Sequence, residues 1–336
     1  MTSAAPLLRI AGLCVDIETR AGSLPVLRDV DLAVDKGKTL GVVGESGSGK
    51  SMTALAIMRL LPGPAARIRG GQILLEGGDL LRLDERAMRR LRGGSVSIVF
   101  QDPMTSLNPL FTVGEQIGET LRWHENVSRK AAAARAVEML RSVGIPEPER
   151  RVQAYPHQLS GGMRQRVTIA IALACGPKLL IADEPTTALD VSVQVQIFAL
   201  LQEIQARTGT AILLISHDFG VVGRMAHRVA VMYGGRKVED APTERILRNP
   251  RHPYTQALLR CVPSLHGAVP QSLPEIPGSV PGLAELGAGC PFAPRCPSAM
   301  PRCAAEMPPT IETEPGHALA CWLAVGGQGA AAGAPA

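Results

Sequence analysis

The hydrophobic pattern of the first three-quarters of the chain predicts strands that alternate with helices. Residues 7–43 alternate apolar and polar positions, which predicts two or three short strands, the last of them the apolar run 39–43. The apolar spacing becomes helical over 51–61. Two later runs are short and wholly apolar, as is typical of strands in a parallel sheet covered on both faces: Leu179–Ala182 and Ala211–Ile215. Strands alternating with helices indicate an α/β domain.

The pattern weakens in the last quarter of the chain. Residues 250–315 are rich in proline, and Tyr254–Val262 is their clearest periodic stretch. The final segment, 326–336, has low complexity, which predicts disorder. We therefore predict one α/β domain over 1–250, a small separate domain over 251–325 and a disordered tail.

Composition and charge argue against several classes of function. The 336 residues carry 35 Lys and Arg against 30 Asp and Glu, and a net charge of +5 is too dilute to indicate nucleic-acid binding. Aromatic residues make up only 3%, which disfavours a base-stacking surface. The longest nearly apolar run, Val167–Pro177, is shorter than the ~20 residues of a membrane span, and the N-terminus lacks the basic start of a signal peptide. We therefore expect a cytosolic chain that meets membranes only through partners.

The run Gly44-Glu45-Ser46-Gly47-Ser48-Gly49-Lys50-Ser51 fits the phosphate-loop pattern, directly after a predicted strand and before a predicted helix. Its glycines let backbone N–H groups turn toward phosphate oxygens at the positive end of the helix. Lys50 would reach the β- and γ-phosphates, and the Ser51 hydroxyl would bind Mg²⁺. An ordinary glycine-rich turn is the alternative, which the flanking strand and helix disfavour.

Two adjacent carboxylates follow the apolar run 179–182. Asp183 can hold Mg²⁺, mostly through water, and Glu184 is placed to polarise an attacking water as a general base. An acidic turn after a strand is the alternative, and the phosphate loop in the same chain makes it the weaker one.

The segment Leu159-Ser160-Gly161-Gly162-Met163 predicts a second anion site. Ser160 is a good helix N-cap, and the two glycines expose backbone N–H groups where the helix starts. In isolation it would indicate only a capped helix. Together with the phosphate loop it gives one chain two phosphate-binding helix starts, which a single nucleotide does not need from the same molecule.

Six motifs in one order carry a family resemblance. They are GESGSGKS at 44–51, Gln101 within Phe100-Gln101-Asp102-Pro103, LSGGMRQR at 159–166, LLIADEP at 179–185, Ala188-Leu189-Asp190 and Ile215-Ser216-His217-Asp218. Over about residues 5–250 the chain resembles the ATPase subunits of ABC transporters. The resemblance implies an α/β fold of the ABC-type P-loop NTPase class: a RecA-like core with an antiparallel β subdomain and a helical subdomain at about 102–175.

The resemblance also implies a head-to-tail dimer, in which each ATP lies between the phosphate loop of one subunit and the LSGG helix of the other. Gln101 would sense the γ-phosphate and Mg²⁺ and face the membrane subunit. Ser160-Gly161-Gly162 would bind the γ-phosphate of the opposite site, and Asp190 would communicate across the dimer. His217 would hold the γ-phosphate and orient water, although a histidine after a strand is by itself more often structural. The implied Mg²⁺ ligands are Ser51, Gln101 and Asp183.

One position departs from the family pattern. ABC ATPases usually stack adenine on an aromatic residue some 25 positions before the phosphate loop, where this chain has Val15-Asp16-Ile17-Glu18-Thr19-Arg20. Ile17 could cover the base by apolar contact, or Arg20 by guanidinium stacking. Selectivity for ATP over GTP therefore stays open.

Three stretches resemble one branch of the family, the dipeptide and oligopeptide importers and particularly their "D"-type ATPase. They are residues 101–109, His252–Leu259 and Gly289–Pro297. The last two match the C-terminal extension of that branch. Nickel importers share much of this pattern, so peptide cargo is preferred over nickel without excluding it.

Four of the seven cysteines crowd into 32 residues: Cys290, Cys296, Cys303 and Cys321. A reducing compartment disfavours disulfides, and four thiols in a proline-rich segment with little core of its own favour a metal or cluster over four idle thiols. The spacing alone does not choose between zinc and an iron–sulfur cluster. The resemblance implies a [4Fe–4S] cluster on these four residues, with Zn²⁺ as the alternative.

These motifs together predict an ATP-hydrolysing, Mg²⁺-dependent subunit of a peptide importer. The implied partners are a second ATPase subunit (a paralogue or a second copy), two membrane permease subunits and an extracytoplasmic peptide-binding protein, with no nucleic acid. The implied location is peripheral, on the cytoplasmic face of the cell inner membrane. A soluble ABC ATPase acting on DNA or the ribosome is disfavoured, because such proteins usually carry two cassettes or a coiled-coil insertion. A non-catalytic regulatory module should lack Glu184 or His217, and both are present.

Overall fold

The computed structural model describes residues 5–20, 22–102, 106–187, 189–262 and 275–327. Parts of several sequence predictions fall outside these ranges: the tail from residue 328 onward, residues 263–274 of the predicted C-terminal domain, Ala188 of the motif at 188–190, and residues 103–105, which belong to the motif at 100–103 and to the stretch 101–109.

The strands of the described residues are, in chain order, β1 (Leu8–Thr19), β2 (Gly22–Val34), β3 (Thr39–Val43), β4 (Ala66–Leu75), β5 (Gly78–Asp79), β6 (Val96–Val99), β7 (Leu179–Asp183), β8 (Ala211–Ile215), β9 (Arg228–Tyr233), β10 (Arg236–Pro242), β11 (Ile311–Glu314) and β12 (His317–Leu319). The α-helices are α1 (Lys50–Met58), α2 (Glu85–Leu91), α3 (Val113–Glu125), α4 (Arg129–Ser142), α5 (Pro148–Arg151), α6 (Gly161–Leu173), α7 (Val191–Thr208), α8 (Phe219–Met225), α9 (Thr243–Arg248), α10 (Pro253–Arg260), α11 (Pro301–Ala305) and α12 (Trp322–Gly327).

The chain packs as two compact units, each made of separate stretches of sequence. The first unit comprises Met1–Leu8, Ala33–Thr39 and Leu74–Ile215. The second comprises Arg9–Leu32, Leu40–Ile73 and Ser216–Ala336. The segment after residue 250 thus packs in the same unit as the phosphate loop, and the division predicted at residue 250 stays a prediction.

The first unit contains three parallel strands in the order β8-β7-β6 and a group of helices. Strands β7 and β8 are buried along their whole length, as their uninterrupted apolar sequences predict. Helix α3 buries Val113, Ile117 and Leu121 on one face, and α4 buries Ala132, Ala136 and Leu140. These four-residue spacings place the apolar side chains on one helical stripe, so α3 and α4 pack against each other and against α6.

The second unit contains five strands in the order β11-β12-β10-β9-β3 and a sheet in the order β2-β1-β4. Strand β3 pairs with β9 in parallel, whereas β9, β10, β12 and β11 pair antiparallel in turn. Residues 7–43 form two strands of 12 and 13 residues followed by β3, so β1 and β2 are longer than the short strands predicted there.

Two local features differ from the sequence predictions. Helix α1 ends at Met58, three residues before the predicted end, because Arg59 takes a left-handed backbone and its N–H bonds back to the carbonyls of Leu55 and Ala56. Strands β11 and β12 were not predicted, because β12 is only three residues long and the Pro315-Gly316 turn interrupts the alternation.

A buried carboxylate ties the C-terminal segment into the second unit. Glu239, in β10, is fully buried, and its carboxylate accepts hydrogen bonds from the N–H groups of Arg251 (2.7 Å) and His252 (3.1 Å). His317 Nε2, at the start of β12, lies 2.8 Å from the same carboxylate. Burying a carboxylate is costly unless it is paired, so these three groups offset the free-energy cost of burying Glu239.

We predict that Glu239→Ala destabilises the protein by about 3 kcal/mol, because it leaves buried donors without an acceptor. Urea unfolding followed by circular dichroism measures the change. The matched control is Glu244→Ala: its carboxylate is exposed and pairs with Arg248 one turn along α9, so its loss should change stability by less than about 0.5 kcal/mol. Equal stability of the two variants would contradict this role.

Candidate functional site

The phosphate loop, residues 44–51, connects strand β3 to helix α1 as the motif requires. Three of its glycines have positive φ: Gly44 (153°), Gly47 (79°) and Gly49 (99°). A Cβ at Gly44 would lie 2.2 Å from the carbonyl oxygen of Met232 in β9, so only glycine fits at that position. The loop is therefore packed closely onto the strand beside it.

Lys50 lies inside this loop. Its ammonium donates hydrogen bonds to the carbonyl oxygens of Gly44 (2.7 Å) and Glu45 (3.0 Å), and the side chain is buried. The amino group is thus held at the centre of the curve traced by the loop. Ser51, in the first turn of α1, is half-buried.

The two predicted carboxylates stand at the end of β7, in the first unit. Asp183 is buried as the last residue of the strand, and Glu184 follows with a left-handed backbone (φ 46°). The Glu184 carboxylate accepts hydrogen bonds from Gln101 Nε2 and from Thr187 Oγ1, both at 3.0 Å.

The structure thus brings together Gln101 and Glu184, which the sequence placed 83 positions apart. Thr187 was not identified from the sequence. Its position three residues after Glu184 in a turn could have suggested a contact, because hydroxyls commonly hydrogen-bond to nearby groups in such turns.

The LSGG segment begins helix α6, and Ser160 caps it by accepting a hydrogen bond from the N–H of Met163 at 3.3 Å. This confirms the predicted N-cap. The segment packs beside the start of α7, where a Cβ at Gly162 would lie 2.9 Å from Val193 Cγ1. The structure therefore places Gly162 next to the helix that Asp190 caps.

Asp190 is the N-cap of α7. Its carboxylate accepts hydrogen bonds from the N–H of Val193 (2.9 Å) and the hydroxyl of Ser192 (2.6 Å). These bonds lower the pKa of Asp190, so it is ionised at neutral pH. A charged residue at the start of a helix also interacts favourably with the helix dipole.

His217 follows the end of β8 and is exposed, and the next residue, Asp218, caps helix α8 through its side chain. His217 lies in the second unit with the phosphate loop, whereas Gln101, Ser160-Gly161-Gly162, Asp183, Glu184 and Asp190 lie in the first.

The stretch where the family usually has an aromatic residue carries charged groups instead. Ile17 is half-buried in β1, and Arg20 is exposed just after the strand. Arg69, in β4, pairs with two carboxylates of β1: Asp16 (3.2 Å) and Glu18.

The four C-terminal cysteines line one small, apolar cavity, which His252 and Trp322 also border. Burial raises the pKa of the Cys290 thiol to about 11, and the three other thiols raise it further. Within the described ranges, however, no three His, Cys, Asp or Glu side chains are arranged to hold a metal ion. The donor set suits a four-cysteine centre in its chemistry, whereas the arrangement is not that of a formed site.

Comparison with known proteins identifies the family. The sequence profile of ABC transporters matches residues 27–187, and that of the oligopeptide/dipeptide transporter C-terminal region matches 238–303. A Brucella melitensis protein named for peptide import and ATP binding is 52% identical over 326 residues, covering 94% of this chain and 96% of that protein. The chain belongs to the ATP-binding subunits of ABC transporters. The oligopeptide transport ATP-binding protein OppD of Bacillus subtilis is 49% identical, over 94% of this chain and 88% of that protein.

Solved structures confirm the predicted fold class. A dimeric bacterial ABC transporter cassette superposes with a TM-score of 0.63 at 27% identity, covering 70% of this chain and 98% of that cassette. The same cassette is also known in a post-hydrolysis state bound to ADP and Pi, with the same TM-score and coverage. The chain is therefore an ABC-type ATPase. No helix in the described part of the chain has both the length and the apolar character needed to cross a membrane.

We predict that Gly44→Ala weakens ATP binding at least about tenfold, because the added Cβ would collide with the Met232 carbonyl and push the loop off β9. Titration of the full chain with a fluorescent ATP analogue measures the affinity. Gly77→Ala is the matched control: Gly77 also has positive φ (84°), but a Cβ there meets nothing within 4 Å. If both variants bind ATP alike, the close approach of the loop to β9 does not matter for binding.

Proposed function

We propose that this ATPase subunit powers the uptake of di- and oligopeptides across the cytoplasmic membrane. The observation that carries the proposal is the oligopeptide/dipeptide transporter C-terminal region at 238–303, joined to the ABC transporter match at 27–187. OppD and the dipeptide transport ATP-binding protein DppD of Bacillus subtilis, 49% and 48% identical, support peptide as the cargo.

The phosphate loop would bind the nucleotide phosphates. Its backbone N–H groups and the N-terminal end of α1 supply positive potential, and Lys50 adds a full charge inside the curve. The predicted Mg²⁺ ligands Ser51, Gln101 and Asp183 offer hydroxyl, amide and carboxylate oxygens, which are the donors that this ion prefers. When bound, Mg²⁺ would neutralise charge on the β- and γ-phosphates.

Glu184 would accept a proton from the attacking water. Its carboxylate is held by hydrogen bonds from Gln101 and Thr187, which fix its orientation. Because Gln101 is also the predicted γ-phosphate sensor, its contact with Glu184 offers a direct way to orient the base when nucleotide is present. His217 would hold the γ-phosphate.

Two such subunits would sandwich two ATP molecules, with Ser160-Gly161-Gly162 of each facing the phosphate loop of the other. The second subunit is a paralogue or another copy of this chain. Two permease subunits and an extracytoplasmic peptide-binding protein complete the proposed importer, and this chain would sit peripherally on the cytoplasmic face of the inner membrane. The division into a cassette (1–250) and a C-terminal domain (251–325) belongs to the same proposal.

We predict that Glu184→Gln keeps ATP binding and lowers hydrolysis at least about 100-fold, because the amide cannot take the proton from water. Phosphate release by the purified full chain with its partner subunits measures hydrolysis. In cells that lack their own copy, the same variant should abolish uptake of labelled di- and oligopeptides.

The control for this experiment is Glu203→Gln, an exposed position on α7, which should leave both readouts unchanged. Nickel uptake is measured alongside. Loss of nickel uptake alone would move the cargo to the metal-importing branch. Unchanged hydrolysis in Glu184→Gln would exclude this residue as the base.

We propose further that Cys290, Cys296, Cys303 and Cys321 hold a [4Fe–4S] cluster, with Zn²⁺ as the alternative. The support is their convergence on one apolar cavity. A bound centre would cross-link a segment whose helices, such as α11, are short.

We predict iron, sulfide and a brown absorbance in protein purified without oxygen, and their loss in Cys296→Ser. Cys261→Ser is the control, because Cys261 ends α10 outside the four-cysteine set. One zinc per chain without iron would select the alternative, and absence of both metals would remove the metal centre from the proposal.

A further inference from the structure

An ion pair joins the phosphate loop to the C-terminal segment 250 residues later. The two terminal nitrogens of the Arg295 guanidinium donate to the carboxylate of Glu45: Nη1 to Oε2 at 2.8 Å and Nη2 to Oε1 at 3.1 Å. This is the bidentate geometry that makes Arg–carboxylate pairs strong and directional. The Arg295 side chain is only 5% exposed and the Glu45 side chain 26% exposed, so the pair is largely shielded from solvent.

Every N–H group of Arg295 has an acceptor. Besides Glu45, the guanidinium donates to the hydroxyl of Tyr233 (3.2 Å) and to the carbonyl oxygens of Ile276 (3.1 Å) and Pro277 (3.0 Å). A guanidinium has five N–H groups in a rigid fork, and all five are used here. The side chain is therefore held in one orientation, and it can impose that orientation on Glu45.

The backbone of Glu45 is held as well. Its N–H donates to the hydroxyl of Tyr254 at 2.8 Å, and its carbonyl oxygen accepts from Lys50 at 3.0 Å. Glu45 therefore links the C-terminal segment to Lys50. Its side chain and its N–H contact that segment, and its carbonyl oxygen contacts the lysine that would face the phosphates.

A cluster of aromatic rings packs next to this connection. Tyr233, Tyr254 and Phe292 are fully buried, and their ring centroids lie 4.5 to 5.3 Å apart. The three rings come from β9, α10 and the turn just before Arg295. The chain contains ten aromatic residues in all, so this is a substantial share of them in one place.

We propose that Arg295 is a positioning residue for the phosphate loop, and that nucleotide affinity therefore depends on the folded C-terminal segment. Arg295 acts through Glu45 and touches no nucleotide itself. The inference rests on the ATP-binding role of the loop and is independent of the transported cargo.

The test is a double-mutant cycle on the full chain, with ATP affinity measured by titration of a fluorescent analogue. Arg295→Gln and Glu45→Gln should each weaken ATP binding about tenfold, because the loop loses the ion pair that orients Glu45. The double variant should bind no more weakly than either single variant, because both remove the same interaction. Arg295→Lys should restore little, since an ammonium cannot bind a carboxylate in the bidentate way.

Arg302→Gln is the matched control. Arg302 belongs to the same segment but pairs with Glu306 (3.1 Å) and stacks on Trp322, away from the loop. It should leave ATP affinity unchanged, and thermal unfolding of each variant reports its folding.

If Arg295 had a purely structural role, Arg295→Gln would lower thermal stability, and its effect on ATP affinity would not depend on whether Glu45 is present. ATP affinities equal to that of the wild type in folded Arg295→Gln, or losses that multiply in the double variant, would overturn the proposal. If Arg295→Gln does not fold, Glu45→Gln decides alone, and unchanged ATP binding in that variant overturns it.

Discussion

A loop that binds phosphate through its own backbone cannot use the same N–H groups to hold its shape, so its neighbours must hold it. This constraint explains the packing around residues 44–51. Gly44 lies against the Met232 carbonyl, the N–H of Gly235 donates to the carbonyl of Ser48, and Lys50 bonds the carbonyls at the start of the loop. The apolar strands β3 and β9 supply the rigid frame that these contacts need.

The same logic governs the carboxylate at the end of β7. The proposed general base, Glu184, is useful only in a fixed orientation. Its N–H bonds the carbonyl of Ile215 on the adjacent strand, and two side chains hold its carboxylate. These contacts fix both the backbone and the carboxylate of this residue.

The sequence predicted what depends on local spacing. The strands at β3, β7 and β8, the N-cap at Ser160 and the phosphate loop could all be read from runs of fewer than ten residues, because apolar run length, capping chemistry and glycine content act over that range. Contacts between distant segments could not, since no periodicity links Glu45 to Arg295 or Gln101 to Glu184. The short strands β11 and β12 were missed because pairing with neighbouring strands, β12 with β10 and β11 with β12, stabilises them rather than their own sequence.

The pairing of β12 with β10 has a consequence for any shortened form of the chain. A protein ending near residue 250 would keep every ABC motif yet lose β12, one of the two strands that pair with β10. The N–H and C=O groups of Glu239 and Asp240 that face β12 would then be unpaired. Exposed strand edges of this kind recruit other chains, so such a fragment would tend to aggregate. The C-terminal extension thus also covers a sheet edge that would otherwise be prone to aggregation.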